Sequence, residues 1–283
     1  MLSRLIAFLE SFAPPALAEE WDNVGLLVGS REQEVSRVMT CLTISPNVVE
    51  EAIREKANLI VAHHPLPFRP LKRITDDTPE GRMLWQLIGA GVAIYSPHTA
   101  FDSAREGINQ RLAEGLRLTN VAPLVPKPAR SNIDDCLAAV PQARLAAAES
   151  LLETDVGGGR YGVYWEAISL AKLAELAKEF LHIDRVQIVG DSATPLKRVA
   201  VACGSAGEFL SVARELGCEA LVTGETRFHT CLEAESTGIA LVLVGHYASE
   251  RFGVERLAEV LSSQFPSLTI WPSAAERDPL KWA

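Results

Sequence analysis

The chain of 283 residues is 48% hydrophobic and 22% charged, a composition typical of a globular protein large enough for two domains. Its 27 basic and 36 acidic residues give a formal net charge of −9, which disfavours a general nucleic-acid surface, because phosphate binding needs clustered Lys and Arg. The N-terminal segment lacks the pattern of a signal peptide and no apolar run reaches membrane-spanning length, so the sequence predicts a cytoplasmic protein. The cysteines lack CxxC spacing, which favours buried free thiols in a reducing compartment.

Alternating helices and strands are predicted for the first part of the chain. Ser45 and Pro46 are the residue types of an N-cap and a first helical position, and the helix they start connects two apolar strands. Such a strand–helix–strand unit predicts that its two strands are parallel. The other predicted elements are helices over 2–12 and 80–90, a helix that continues to residue 116, and strands over 26–29, 38–44, 58–62 and 92–95.

The middle of the chain predicts a short inserted or bridging segment over 126–194. An Ala-rich helix is expected over 142–152, and a helix over 169–181 precedes a strand over 186–189. After that the pattern of the first part returns, with strands over 199–203, 220–223, 239–244 and 268–271. The predicted fold class is therefore α/β, with two pseudo-repeated lobes over 1–125 and 195–283 whose mixed sheets are flanked by helices.

Two adjacent histidines, His63 and His64, follow a buried strand directly. The carboxyl ends of strands are where α/β sheets place their ligand-binding residues. Neighbouring side chains on an extended backbone point apart, so the two imidazoles can serve two different ions. An isolated pair would be interpreted as the start of a polar loop, but matching residues elsewhere in the chain favour a metal site.

Those matching residues come from an internal repeat. The segment 91–102 aligns with 238–250: in each, a helix-ending glycine precedes a buried strand and then the pattern His-x-Ala-x-acid. The pairs are His98 with Asp102 and His246 with Glu250. Residues four apart lie on one face of a helix, so each pair can bind a metal, and the acid can bridge two ions.

The type of ligand limits the ion and the chemistry. Imidazole and carboxylate groups without thiolate suit Zn, Fe, Mn, Co or Ni. Two such ions about 3.5–4 Å apart lower the pKa of bound water, which favours a hydrolase. His229, four residues after Glu225, either lines a pocket or acts as a general base. The glycine run 157–159 with Arg160 lacks the GK[ST] of a phosphate-binding loop and favours a turn or hinge, and the segment 21–25 is either a polar pocket rim or a turn.

Four motifs together resemble one known family, in its order and over nearly the whole chain except about 125–160. The family is that of the GTP cyclohydrolase 1 type 2 homologues, also called the NGG-interacting-factor-three-like family. The motifs are Trp21-Asp22-Asn23-Val24-Gly25-Leu26, Leu59-Ile60-Val61-Ala62-His63-His64-Pro65, His98-Thr99-Ala100-Phe101-Asp102 and Gly245-His246-Tyr247-Ala248-Ser249-Glu250.

The resemblance implies a dinuclear metal site between two similar α/β lobes, in a toroidal homohexamer. By motif, its metal ligands are His63, His64, Asp102, His246 and Glu250, with Glu250 bridging the two ions. His98 then lies beside the site, whereas the repeat makes it equivalent to His246. The sequence departs from the family in having Glu225 where an Asp is usual and in lacking an Asp near Thr43.

The activity that the resemblance implies is hydrolysis of GTP or a related nucleotide or purine. In such a reaction Glu225 or His229 is expected to move protons, and His98, next to the metal site, is a further candidate catalytic residue. A non-enzymatic metal-dependent binding, regulatory or metal-delivery protein is the alternative, because no phosphate-binding loop is evident. A nucleic-acid clamp would depend on the ring assembly alone, and the acidic charge disfavours it.

Overall fold

The computed structural model describes residues 2–127 and 155–281, and the helix predicted over 142–152 lies outside them. The helices are α1 (Leu2–Phe12), α2 (Pro46–Arg54), α3 (Pro79–Gly89), α4 (His98–Ser103), α5 (Ile108–Gly115), α6 (Leu170–Leu181), α7 (Phe209–Glu215), α8 (Phe228–Thr237) and α9 (His246–Gln264). The strands are β1 (Gly25–Val28), β2 (Arg37–Cys41), β3 (Leu59–Ala62), β4 (Ala93–Ser96), β5 (Thr119–Ala122), β6 (Val125–Pro126), β7 (Gly157–Gly158), β8 (Arg160–Ser169), β9 (Gln187–Val189), β10 (Pro195–Ser205), β11 (Ala220–Glu225), β12 (Ala240–Leu243) and β13 (Thr269–Pro272). Within this part of the chain no helix is both long and apolar enough to cross a membrane.

Two compact units make up the chain. The first combines Met1–Phe101 with Glu250–Ala283, and the second is Asp102–Ser249. The limits of the units fall within α4 and α9 rather than at the predicted limits near residues 125 and 195. The three-segment division of the sequence therefore stays a prediction about domain organisation.

The first unit is built on a five-stranded mixed sheet in the order β1-β4-β3-β2-β13. Four strands, β4, β3, β2 and β13, run parallel to one another, and the edge strand β1 pairs antiparallel with β4. The parallel pairing predicted for β2 and β3 is thus confirmed. Ser45 occupies the N-cap of α2 as predicted, but its side chain makes no capping hydrogen bond. Apolar side chains of α2 and α3, including Val48 and Leu84, pack against the strands of this sheet and form its core.

Glu51 of α2 anchors the segment that follows β13. Its carboxylate is 2% exposed and accepts hydrogen bonds from the Ser273 hydroxyl at 2.5 Å and from the backbone N–H groups of Ala274 and Ala275 at 2.9 Å. Burial raises the pKa of Glu51, but these hydrogen bonds outweigh burial and hold the pKa below its ordinary value of 4.5. The charged form therefore stabilises the fold.

This network predicts a pH-dependent stability. Because the pKa of Glu51 is lower in the folded state, its contribution is complete above the ordinary pKa and is lost as the pH falls through the folded-state pKa. We expect Glu51→Gln to lower the free energy of unfolding at pH 7 by about 2 kcal/mol, since hydrogen bonds to a charged group are lost. The difference from wild type should shrink in urea titrations at successively lower pH. The prediction would be contradicted by a difference in free energy of unfolding that stays constant down to pH 3. An equal effect of Glu50→Gln, at an exposed position of the same helix, would also contradict it.

The second unit is built on a six-stranded mixed sheet in the order β5-β8-β10-β11-β12-β9. The central strands β10, β11 and β12 are parallel, and β8 and β9 pair antiparallel with their neighbours. The sequence did not predict β8, although its alternating Tyr161, Val163 and Trp165 have strand periodicity. The helix predicted after Asp102 and through residue 116 is observed as α5, which begins only at Ile108, and the His98–Asp102 motif lies in a separate short helix, α4.

Arg160 is a fully buried cation at the start of β8. Its guanidinium donates to the backbone oxygens of Gly157, Gly159, Ser103 and Ala104, at 2.6, 2.7, 3.3 and 2.8 Å. Burial lowers the pKa of Arg160 to about 10, so the group is still charged at neutral pH. In the glycine run before it, Gly157 and Gly158 form a short strand, β7, and Gly159, with a φ of 57°, forms the bend between β7 and β8.

Candidate metal centre

His63 and His64 follow β3, as the sequence predicts. Their backbone N–H groups still bond to the oxygens of Cys41 and Leu42, at 2.9 and 2.8 Å, but the chain bends at both residues. The two rings therefore do not diverge as they would on an extended strand, and their centroids are 5.2 Å apart. His63 is 1% exposed, whereas His64 is partly exposed.

Glu250 faces both imidazoles from α9. Its Oε2 is 3.1 Å from Nε2 of His64, and its Oε1 is 3.9 Å from Nε2 of His63. The carboxylate is almost completely buried, with the residue 4% exposed. A buried carboxylate with an oxygen directed at each of two imidazoles is suited to share a cation with them.

His98, the first residue of α4, joins this group. Ring nitrogens of His63, His64 and His98 all lie within 4.8 Å of one another. Nδ1 of His98 is 2.7 Å from Oδ1 of Asp22. The other carboxylate oxygen of Asp22 accepts hydrogen bonds from the backbone N–H and the hydroxyl of Thr99. Burial raises the pKa of Asp22, but the hydrogen bonds from His98 and Thr99 outweigh it and lower the pKa to about 2.

Asp22 is consequently ionised at neutral pH and accepts the Nδ1 proton of His98. This hydrogen bond leaves Nε2 of the neutral imidazole with a lone pair, the arrangement found in metal-binding histidines. His98 thus has the carboxylate partner typical of a metal-binding histidine and also belongs to the histidine group. Whether it binds metal, as the repeat predicts, or lies beside the site, as the resemblance implies, stays a prediction.

A second polar partner fixes His64. The Thr43 hydroxyl is 2.7 Å from Nδ1 of His64, opposite the nitrogen that faces Glu250. The backbone of Leu42 and Thr43 is in turn held by the carboxylate of Glu276, at 2.9 and 2.5 Å. The C-terminal segment therefore supports the orientation of an imidazole in the group.

The residues of the first unit fit a divalent metal ion. The ring nitrogens of His63, His64 and His98 lie close together, and the Glu250 carboxylate faces the rings of His63 and His64. The donor set of imidazole and carboxylate contains no thiolate. Borderline cations such as Zn²⁺, Fe²⁺, Mn²⁺, Co²⁺ and Ni²⁺ prefer this set. The two hydrogen-bonded histidines, His64 and His98, also have the outer partners that such ligands usually have.

Asp102 and His246 belong to the second unit, and each has a defined partner there. The Cys203 thiol donates to Oδ1 of Asp102 at 3.2 Å, and Asn109 links the two residues by donating to the Asp102 backbone oxygen at 3.1 Å and accepting from the Cys203 N–H at 2.7 Å. Cys203 is therefore a buried free thiol, as predicted, but it also holds the Asp102 carboxylate.

Glu225 orients His246. Its Oε1 is 3.0 Å from Nδ1 of His246, so the carboxylate accepts the Nδ1 proton of the neutral ring. The close approach of these segments requires Gly224, because a Cβ there would lie 2.5 Å from the Gly204 oxygen and 3.0 Å from Cα of His246. His229 is exposed at the start of α8, and its ring contacts that of Phe228. The proton-transfer roles predicted for Glu225 and His229 stay predictions.

Several of these partners could not be identified from the sequence. In the sequence, Asp22 belongs to a segment that predicts either a pocket rim or a turn, and Thr43 only marks the region where an Asp usual in the family is absent. Cys203 and Asn109 gave no functional signal. The available signal is position, because Thr43 and Cys203 each lie at or just beyond the carboxyl end of a parallel strand, where side chains face a ligand site.

The fold and the histidine–glutamate group, formed by His63, His64, His98 and Glu250, together define an α/β protein with a candidate metal site. Residues 1–279 match the model of the family Duf34/NIF3 (NGG1p interacting factor 3). The chain belongs to this family, and the resemblance seen in the motifs is confirmed.

Two similar curated proteins and one solved structure illustrate the relationship. A protein of Clostridium acetobutylicum named GTP cyclohydrolase 1 type 2 homolog is 30% identical, covering 87% of this chain and 84% of that protein. The Schizosaccharomyces pombe protein NIF3 homolog is 32% identical, covering 98% and 96%. The crystal structure of a Bacillus cereus protein related to NIF3 superimposes with a TM-score of 0.84 at 26% identity, covering 100% and 99%.

Proposed function

We propose that the protein is a metal-dependent hydrolase that acts on GTP or a related purine nucleotide. The observation that carries the proposal is the convergence of His63, His64 and Glu250, a buried nitrogen and oxygen donor set in the first unit. The nucleotide substrate is suggested by the name of the Clostridium acetobutylicum relative.

The proposed centre holds two divalent ions. Its ligands are those predicted from the motifs: His63, His64, Asp102, His246 and Glu250. When bound, such a pair of ions lowers the pKa of water and polarises an electrophilic carbon or phosphorus. Neighbouring residues orient these groups: Thr43 fixes the ring of His64, a proposed ligand, and Asp22 fixes the ring of His98, which lies beside the site. Glu225 does the same for His246.

The remaining roles in the proposal concern protons and assembly. His229 is exposed, and imidazole is the side chain that most often serves as a general base, so His229 is the proposed general base. We further propose a cytoplasmic location and a homohexameric assembly, both of which come from the sequence and the family resemblance. Sedimentation equilibrium of the purified protein tests the assembly directly.

Turnover of nucleotides by the metal-replete protein tests the proposed activity. We expect GTP or a close analogue to be hydrolysed, and expect His64→Ala and Glu250→Gln each to lower kcat by at least about a thousandfold, because each removes a proposed ligand. His182→Ala is the matched control, since this exposed histidine ends α6 and should leave activity unchanged. Failure of the wild-type protein to turn over any member of a broad nucleotide panel would contradict the proposal.

A non-enzymatic metal-delivery or metal-dependent regulatory protein is the second candidate. The glycine run 157–159 favours this candidate, because it does not form a phosphate-binding loop. Arg160, which follows the run, is fully buried and donates to the backbone oxygens of Gly157 and Gly159. Rapid transfer of metal to an acceptor chelator, without hydrolysis of any nucleotide, would support this candidate. Retention of the metal over hours would oppose it.

A further inference from the structure

Two exposed aromatic side chains lie beside the histidine group of the first unit. Trp21 is 63% exposed and Phe68 is 41% exposed. Their ring centroids are 6.1 Å apart at 67°, and each ring is 6.2 Å from that of His98. Large aromatic residues gathered at the surface next to a polar cluster are typical of a ligand site, since the uncovered rings expose much apolar area to water.

The backbone segments that carry the two rings are held by polar contacts of neighbouring residues. Asp22, next to Trp21, is fixed by its hydrogen bonds to His98 and Thr99. Asn23 donates from Nδ2 to the backbone oxygen of Pro67 at 2.7 Å, which ties the Trp21 segment to the Phe68 segment. These hydrogen bonds restrict the backbone that carries the two rings, so less backbone freedom remains to be lost when a ligand covers the rings, which favours binding.

Residues 69–73, directly after Phe68, carry a local positive charge on an acidic protein, and the acidic Asp76 and Asp77 follow them. Arg69, Lys72 and Arg73 are all exposed and fall within five residues, although the net charge of the chain is −9. A ring-stacking surface followed at once by three cations matches a ligand that joins a planar ring to phosphate groups. A purely apolar protein partner would have no use for this charge.

We infer that Trp21 and Phe68 form a stacking subsite for the base of a nucleotide and that Arg69, Lys72 and Arg73 bind its phosphates. The inference rests on the proposed function and adds to it the residues that recognise the substrate. The ring of the ligand would then lie against His98, at the edge of the group formed by His63, His64 and Glu250. Trp21 is the residue expected to contribute most, because indole offers the largest stacking surface.

Equilibrium dialysis with GTP labelled in its α-phosphate tests this subsite, because the label reports binding whether or not the base is altered. We expect Trp21→Ala and Phe68→Ala each to weaken binding of labelled GTP, and of guanosine measured by competition with it, about tenfold or more, while Trp21→Phe largely restores both. Binding of inorganic tripolyphosphate should be unchanged in these variants and should be weakened in the double variant Lys72→Ala, Arg73→Ala. Trp165→Ala is the matched control, since this residue of β8 is 88% exposed.

The outcomes separate this inference from the proposed function. Wild-type affinity for GTP in Trp21→Ala, or no measurable binding of GTP to the wild-type protein, would overturn the subsite. A changed sedimentation coefficient of Trp21→Ala with unchanged GTP binding would identify the rings as a contact between protein chains, and would also overturn it. Turnover with an unaltered KM in Trp21→Ala would contradict the subsite alone. Tight, Trp21-dependent binding without turnover would instead contradict the hydrolase.

Discussion

Glu250→Gln is expected to lose most of its bound metal while it remains folded. The glutamine amide has nearly the shape of the carboxylate but carries no charge, so the two imidazoles that face Glu250 no longer share an anionic ligand with it. The affinity should fall by more than the roughly 10–100-fold that is typical of residues that only orient a ligand. Metal titration followed by competition with a chelator of known affinity measures this loss.

Glu259→Gln is the matched control for this experiment. Glu259 lies on the same helix, α9, and its side chain is 66% exposed in a surface ion pair with Arg256. It should bind metal as the wild-type protein does. An unchanged metal affinity in Glu250→Gln, with unaltered circular dichroism, would show that this carboxylate is not a ligand.

Arg160→Met is expected to have the largest effect on stability among the substitutions considered. Methionine fills much of the volume but donates no hydrogen bonds, so the buried backbone oxygens of Gly157, Gly159 and Ala104 lose a charged donor. Leaving such groups without their partner costs about 3–5 kcal/mol of the free energy of unfolding. Chemical denaturation monitored by circular dichroism at pH 7 measures the difference.

Two further variants make the stability experiment decisive. Arg160→Lys keeps the charge but not the planar fork of donors, so an intermediate loss is expected. Arg117→Met removes an exposed ion pair with Glu179, in which both side chains are about two-thirds exposed, and should change stability by less than about 1 kcal/mol. Equal effects of Arg160→Met and Arg117→Met would contradict the structural role of the buried cation.

Local pattern was enough to predict much of the fold. The helix-ending glycines of the repeat, Gly91 and Gly238, both have a positive φ, of 70° and 75°, and each precedes a buried parallel strand as predicted. His98 and His246 each begin a helix, also as the alignment of the two halves requires. These features depend on residues close together in sequence, so periodicity and turn chemistry reveal them.

Contacts between residues far apart in the sequence could not be predicted from local sequence patterns. The pairing of β13 with β2, and the capture of the following segment by Glu51, join residues more than 200 positions apart. The partners Asp22 of His98 and Thr43 of His64 are likewise tertiary contacts between ordinary polar residues. The β8 strand was missed for a different reason: its alternation follows a run of glycines that was interpreted as a hinge or turn.

Metal analysis of the wild-type protein, purified without added metal and without chelators, tests the central claim most directly. Elemental analysis by mass spectrometry should find about two divalent ions per chain, drawn from Zn, Fe, Mn, Co and Ni, and chelation should remove them without unfolding the protein. If the protein contains no metal, and binds none when these ions are supplied at micromolar concentration, the histidine–glutamate group is not a metal centre.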